Sequence, residues 1–107
     1  MQHLTDVGVY EAEGRAKYRE HLRVPSMSLG TYSIPAGAED PQQPHKEDEV
    51  YFITAGRARF TAAGESVDVS AGHVLFVPAH EEHRFSAVTE DLTVLVFFAP
   101  AESVYSL

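Results

Sequence analysis

Apolar and polar residues alternate in short blocks along most of the chain. Met27 to Ile34 sets Met27, Leu29 and Thr31 on one face and Ser28, Gly30, Tyr32 and Ile34 on the other, the period of a strand. Pro35-Ala36-Gly37 predicts a turn, and Asp40 to Pro44, with two prolines, a stiff loop. Glu49–Thr54 and Arg57–Ala62 flank Ala55-Gly56 and predict a hairpin. Val67–Val69 is a short strand between turns at Gly64 and Gly72. Val74–Val77 is apolar on both faces, which suits the middle of a sandwich or a subunit interface. Pro78 to His83 predicts a loop at the rim. Arg84–Val88 and Leu92–Phe98 predict a last hairpin, split at Thr89 to Asp91 and stopped by Pro100. Glu11 to Leu22 departs from the pattern: rich in Glu, Arg, Lys and Ala, with a thin apolar stripe, it predicts a short helix or turn ended by Pro25. Residues 1–10 read as a frayed or strand-forming terminus. Roughly seven to nine short strands with turn signals between them mean an all-β sandwich or barrel rather than βαβ units. Residues 1–26 form an N-terminal extension and 27–107 the barrel of a single domain.

The polar positions carry candidate chemistry. If the chain from residue 43 is extended, Gln43, His45, Glu47 and Glu49 project the same way, and Pro44 keeps Gln43 out of the helical region. That face offers an amide oxygen, an imidazole and carboxylates, which are metal-ligand groups; an exposed polar strand face explains the same residues. With Glu49 inward, Tyr51 and Ile53 also face in, and Tyr51 either lines a substrate pocket or fills the core. Val50 and Phe52 then face out and need cover. Arg59 suits a solvent face, as do His3, His21 and His73.

Composition narrows the chemistry. At 107 residues with 44% hydrophobic content, the chain makes one globular domain, small enough that a partner subunit would help bury surface; a homodimer is expected. No apolar run is long enough for a bilayer, and residues 1–10 do not resemble a signal peptide, so the cytoplasm is expected. There are no cysteines, so disulfides, thiolate nucleophiles and Cys-held zinc are excluded. Any metal must be held by His, carboxylate or amide. The net charge of −8, from 16 acidic and 8 basic residues, disfavours nucleic acid and anionic membrane as partners and leaves a small molecule.

Two stretches together resemble the cupin superfamily, over roughly residues 27–98. The first family motif, glycine, five residues, His-x-His, three or four residues, Glu, six residues, glycine, is matched in spacing by Gly37, Gln43, His45, Glu49 and Gly56. The second, glycine, five residues, Pro-x-Gly, two residues, His, three residues, Asn, is matched by Gly72, Pro78, His80, His83 and Ala87. Gln43, His80 and Ala87 depart from the family's His, Gly and Asn. The resemblance implies a double-stranded β-helix, the jelly-roll barrel. It also implies a divalent transition metal (iron, manganese, nickel or zinc) held by Gln43, His45, Glu49 and His83. Two imidazoles and a carboxylate match many non-haem iron(II) sites with open positions. Glu47, on the ligand face, and His80, at the rim, become candidate bases, with His80 also a replacement ligand. The implied function is a metal-dependent enzyme on a small organic molecule, of dioxygenase, isomerase or lyase type. The alternatives are a non-catalytic ligand binder and a structural cupin with a decayed site.

Overall fold

The structure is a computed structural model that describes residues 1–103; the last four residues of the expected barrel, 104–107, lie outside the described residues. Every regular element among the described residues is a strand: β1 (Lys17–Val24), β2 (Met27–Ile34), β3 (Asp48–Ala62), β4 (Glu65–Ser70), β5 (Val74–Val77) and β6 (His83–Ala99). No helix among them is long and apolar enough to cross a membrane.

All pairings are antiparallel, in the order β1-β2-β6-β3-β4, with β5 also on β3. The two long strands serve both halves of the fold. The first half of β3 pairs with β5 and the last third of β6; its second half pairs with β4 and the start of β6. The result is the expected jelly roll.

Three local expectations are corrected. Glu11 to Leu22 forms no helix: Lys17–Val24 is strand β1, paired with β2 through a tight turn at Pro25 and Ser26, with a register shift between Glu20 and Leu22. Its thin apolar stripe could not bury a helix, whereas the edge of β2 satisfies its backbone groups and takes Tyr18 over Gly30, where a Cβ would lie 2.2 Å from the Tyr18 ring. Ala55-Gly56 is not a hairpin, and Thr89 to Asp91 does not split β6. Both strands run on, with register shifts between Ile53 and Arg59. Gly56, at φ +94°, kinks β3 without reversing it, and a Cβ there would lie 2.3 Å from the Asp91 carbonyl oxygen. A glycine between two β-type runs marks a bulge as readily as a turn.

The core is apolar: Tyr32, Ile34, Tyr51, Ile53, Phe60, Phe85, Leu92, Val94, Val96 and Phe98 are all buried. Glu49, Tyr51 and Ile53 face in and Phe52 faces out, as the alternation predicts. Val74–Val77 is two-faced only in composition, because Val77 is buried while Val74 and Phe76 are exposed. Arg59 is on the solvent face beside Asp68. His21 is half-buried, its Nε2 2.6 Å from Thr31 Oγ1, rather than solvated.

Candidate metal centre

At one end of the core, polar side chains replace apolar ones. His45 and Glu47 lie in the segment leading into β3, Glu49 on β3 itself, and His83 opens β6; all four are buried. Ligand atoms of His45, Glu49 and His83 lie within 4.8 Å of one another. His83 Nε2 is 3.1 Å from Glu49 Oε1, and His45 Nε2 is 4.0 Å from the same oxygen. The three residues that the resemblance marks as imidazole and carboxylate ligands are thus brought together by the fold.

Gln43 is not with them. It is exposed, and among the described residues its amide reaches the Pro41 carbonyl alone, at 3.5 Å. The preceding glutamine takes the inward place: Gln42 is 2% exposed. Strict alternation holds from His45 onward, but the loop between Pro41 and Pro44 is not a strand, so counting back by two from His45 picks the wrong side. Two adjacent glutamines, one in and one out, leave no signal in the sequence that distinguishes them.

Gln42 belongs to a buried chain of hydrogen bonds. Asp40 accepts from the Tyr32 hydroxyl, from Gln42 Nε2 (2.7 Å) and from the Phe85 backbone N–H (2.9 Å). With its amide nitrogen engaged by Asp40, Gln42 turns Oε1 to the Tyr51 hydroxyl, which donates to it at 2.7 Å, and lies 3.2 Å from His83 Nε2. The Tyr51 oxygen is also 2.8 Å from His83 Nε2. On its other side, His83 Nδ1–H donates to the Glu81 carbonyl at 2.8 Å, so Nε2 is the nitrogen turned to Glu49. Tyr51 is therefore neither simply core nor pocket wall: it touches His83.

Charge and burial act together here. Burial pulls the His83 pKa down, but the Glu49 hydrogen bond, the Glu81 carbonyl and the charges of Glu49 and Asp40 outweigh it and raise the pKa above the ordinary imidazole value. Burial, with the Glu49 charge, pushes the Tyr51 phenol well above its ordinary range, so it keeps its proton. Phe60 and Phe85 pack against Tyr51, and the Phe98 ring lies 4.8 Å from that of His45, giving the site aromatic walls.

The residues fit a divalent cation. Glu49 Oε2 is buried with no hydrogen-bond partner among the described residues. A carboxylate oxygen in that state is costly unless a cation or proton meets it. Two imidazoles and a carboxylate suit a borderline transition metal. The other expected site residues fare differently. Glu47 is buried on the same face but outside the three-residue group. His80 has an exposed side chain; its backbone N–H donates to the His45 carbonyl at 2.7 Å, tying the second motif to the first. A cleft of about 460 Å³, lined by Gln42, Gln43, Thr61, Glu81, His83 and Arg84, reaches the site from outside. Sequence reasoning missed Asp40 and Gln42, which lay in an apparent linker.

Known proteins share the sequence pattern and the fold. The Streptomyces coelicolor protein described as "Uncharacterized protein SCO3923" is 43% identical over 100 residues, covering 94% of this chain and 95% of its own. Among solved structures, KdgF from a Halomonas species superposes with a TM-score of 0.74 at 21% identity, over 84% of this chain and 83% of its own. The DMSP lyase DddQ from Ruegeria pomeroyi gives 0.73 at 24% identity, over 79% of this chain; the match spans 47% of the lyase, about half its length. The sequence pattern of the cupin domain matches residues 30–98. With that match covering most of its strands and all of His45, Glu49 and His83, the chain belongs to the cupin family.

Proposed function

We propose that this cupin is a metal-dependent enzyme acting on a small organic molecule, with a divalent transition metal held by His45, Glu49 and His83. The observation that carries the reading is the buried Glu49 carboxylate, one oxygen unmatched, beside two imidazoles at ligand spacing. When bound, such a metal supplies Lewis acidity to a substrate oxygen and is open to oxygen chemistry in the iron(II) case. The chain's own residues supply the rest. Glu49 offsets part of the cation's charge. Tyr51 holds a proton at its hydroxyl oxygen, 2.8 Å from His83 Nε2, and is the group we assign to hydrogen-bond donation beside the metal position, keeping rather than releasing its proton. Gln42 orients that hydroxyl, and its amide oxygen stands where the sequence suggested Gln43. The aromatic walls exclude water, and the cleft between Gln43 and Arg84 admits a small substrate. Glu47 remains our candidate base; His80 acts through its backbone.

Protein purified without a polyhistidine tag, then analysed for metals, is expected to carry iron, manganese, nickel or zinc or to take one up stoichiometrically. His45→Ala, Glu49→Ala and His83→Ala should each abolish tight uptake in calorimetric titration. Wild-type protein that takes up none of the four metals would overturn the reading in favour of a structural cupin.

A further inference from the structure

One more acidic side chain reaches the site from far along the sequence. Glu102 follows β6 and is completely buried. Its backbone N–H donates to Ser28 Oγ at 2.9 Å, and Ala101 N–H to the Pro25 carbonyl at 3.4 Å, so the segment is fastened across the β1–β2 turn. This places Glu102 Oε2 3.1 Å from His45 Nδ1. Neither Glu102 oxygen makes a well-directed hydrogen bond among the described residues, so the close approach to the imidazole is the polar contact that the fold gives this carboxylate.

We infer that Glu102 is a positioning residue for the metal centre: it holds the proton of His45 on Nδ1 and so leaves the Nε2 lone pair for the metal. The reason is electrostatic. A buried carboxylate next to an imidazole nitrogen favours a proton on that nitrogen, because the alternative sets a lone pair against a negative charge in a medium of low dielectric. Nε2, the other nitrogen, is the one that faces Glu49. A carboxylate behind a ligating histidine also fixes the ring's orientation and raises its basicity. His83 reaches the same arrangement by another route, through the Glu81 carbonyl. Both imidazoles therefore present Nε2 inward with Nδ1 engaged behind, one by a charged group and one by a neutral group.

The inference rests on the metal reading for its purpose, but its first test does not. In metal-free protein at about pH 8, nitrogen-15 NMR of the His45 ring is expected to show its proton on Nδ1. In Glu102→Ala the signal should shift toward the Nε2–H form. Glu102→Gln, nearly the same size, keeps an acceptor oxygen and should retain the tautomer in part; it also serves if the alanine variant does not fold. The second measurement is zinc(II) and nickel(II) titration. Glu102→Ala should weaken binding by roughly 10–100-fold, and Glu102→Gln by less. Wild-type tautomer and affinity in both variants would overturn the inference, as would a wild-type His45 with its proton on Nε2. If wild-type protein shows the Nδ1–H tautomer but binds no metal, the proposed function fails while the Glu102–His45 pairing stands.

Discussion

The two adjacent glutamines have opposite roles, and substitution should separate them. Gln42→Ala takes one buried hydrogen-bond partner from the Tyr51 hydroxyl and one from the Asp40 carboxylate, leaving Tyr51 with His83 and Asp40 with Tyr32 and Phe85, and should cost about 1–3 kcal/mol in total. Gln43→Ala touches solvent and one carbonyl and should stay within about 0.5 kcal/mol of wild type. Chemical denaturation of both variants checks this, and equal effects would mean that the Gln42 network does not form. His83 gives a second residue-scale outcome. Its pKa in the metal-free fold is raised, so protonating it stabilises the fold. That contribution is full below about pH 6.5, the unfolded value, and is lost as pH rises through the higher folded value. Metal binding has the opposite sign, because ligation needs the neutral ring. On acidification from about pH 8 to 6, calorimetry should show metal affinity falling while this contribution to metal-free stability rises. Affinity that holds constant over the range would argue against His83 as a ligand.

At the scale of elements, the strands were readable where alternation was uninterrupted. β2, the inward run Glu49, Tyr51, Ile53 and the turn at Gly72 follow directly from side-chain period. The bends were not readable. The kinks in β3 and β6 come from tertiary pairing between two long strands, and a lone glycine does not say whether the chain turns back or merely bends. The site was half legible for the same reason. His45, Glu49 and His83 keep spacings that a resemblance can detect, whereas Asp40 and Glu102 take part only because a loop and a tail happen to be folded inward. The backbone also shows what two departures from the family pattern cost. His80 (φ 69°) and Ala87 (φ 48°) are both left-handed, at positions where the family has Gly and Asn, residues that tolerate that region. Two substitutions should therefore move stability in opposite directions. His80→Gly relieves a left-handed histidine while keeping the N–H that bonds the His45 carbonyl, and should raise the melting temperature by the equivalent of about 1 kcal/mol at most. Gly56→Ala adds both a positive-φ penalty and a clash with the Asp91 backbone and should cost more than about 2 kcal/mol. A Gly56→Ala protein as stable as wild type would show that the kink is not fixed by close approach.

The whole molecule presents an unfinished surface. Register puts Phe76, Val50, Phe97 and Leu29 in one row across β5, β3, β6 and β2, with Val74, Phe52, Leu95 and Thr31 in the next. The chain near Gly8 covers the far end of the second row through hydrogen bonds with Thr31 and Thr54, and Val74, Phe76, Phe52 and Phe97 are left exposed. Exposed apolar side chains that adjoin across neighbouring strands suit a protein–protein interface. We propose that it is covered by a second copy in a homodimer. Light scattering should give twice 11.8 kDa at micromolar concentration, and Phe76→Glu should shift the protein to monomer. A wild-type mass of one chain would remove the proposal.

The pairing of His45 with Glu102 has a consequence for the order of biosynthesis. Ribosomes make His45, Glu49 and His83 before Glu102, and Ser28, which fastens the Glu102 backbone, 74 residues earlier than that partner. His83 opens β6, which pairs with both β2 and β3, so His45, Glu49 and His83 meet only once that strand is in place, and Glu102 follows it directly. Closure of the site and seating of Glu102 are therefore expected to be nearly one event.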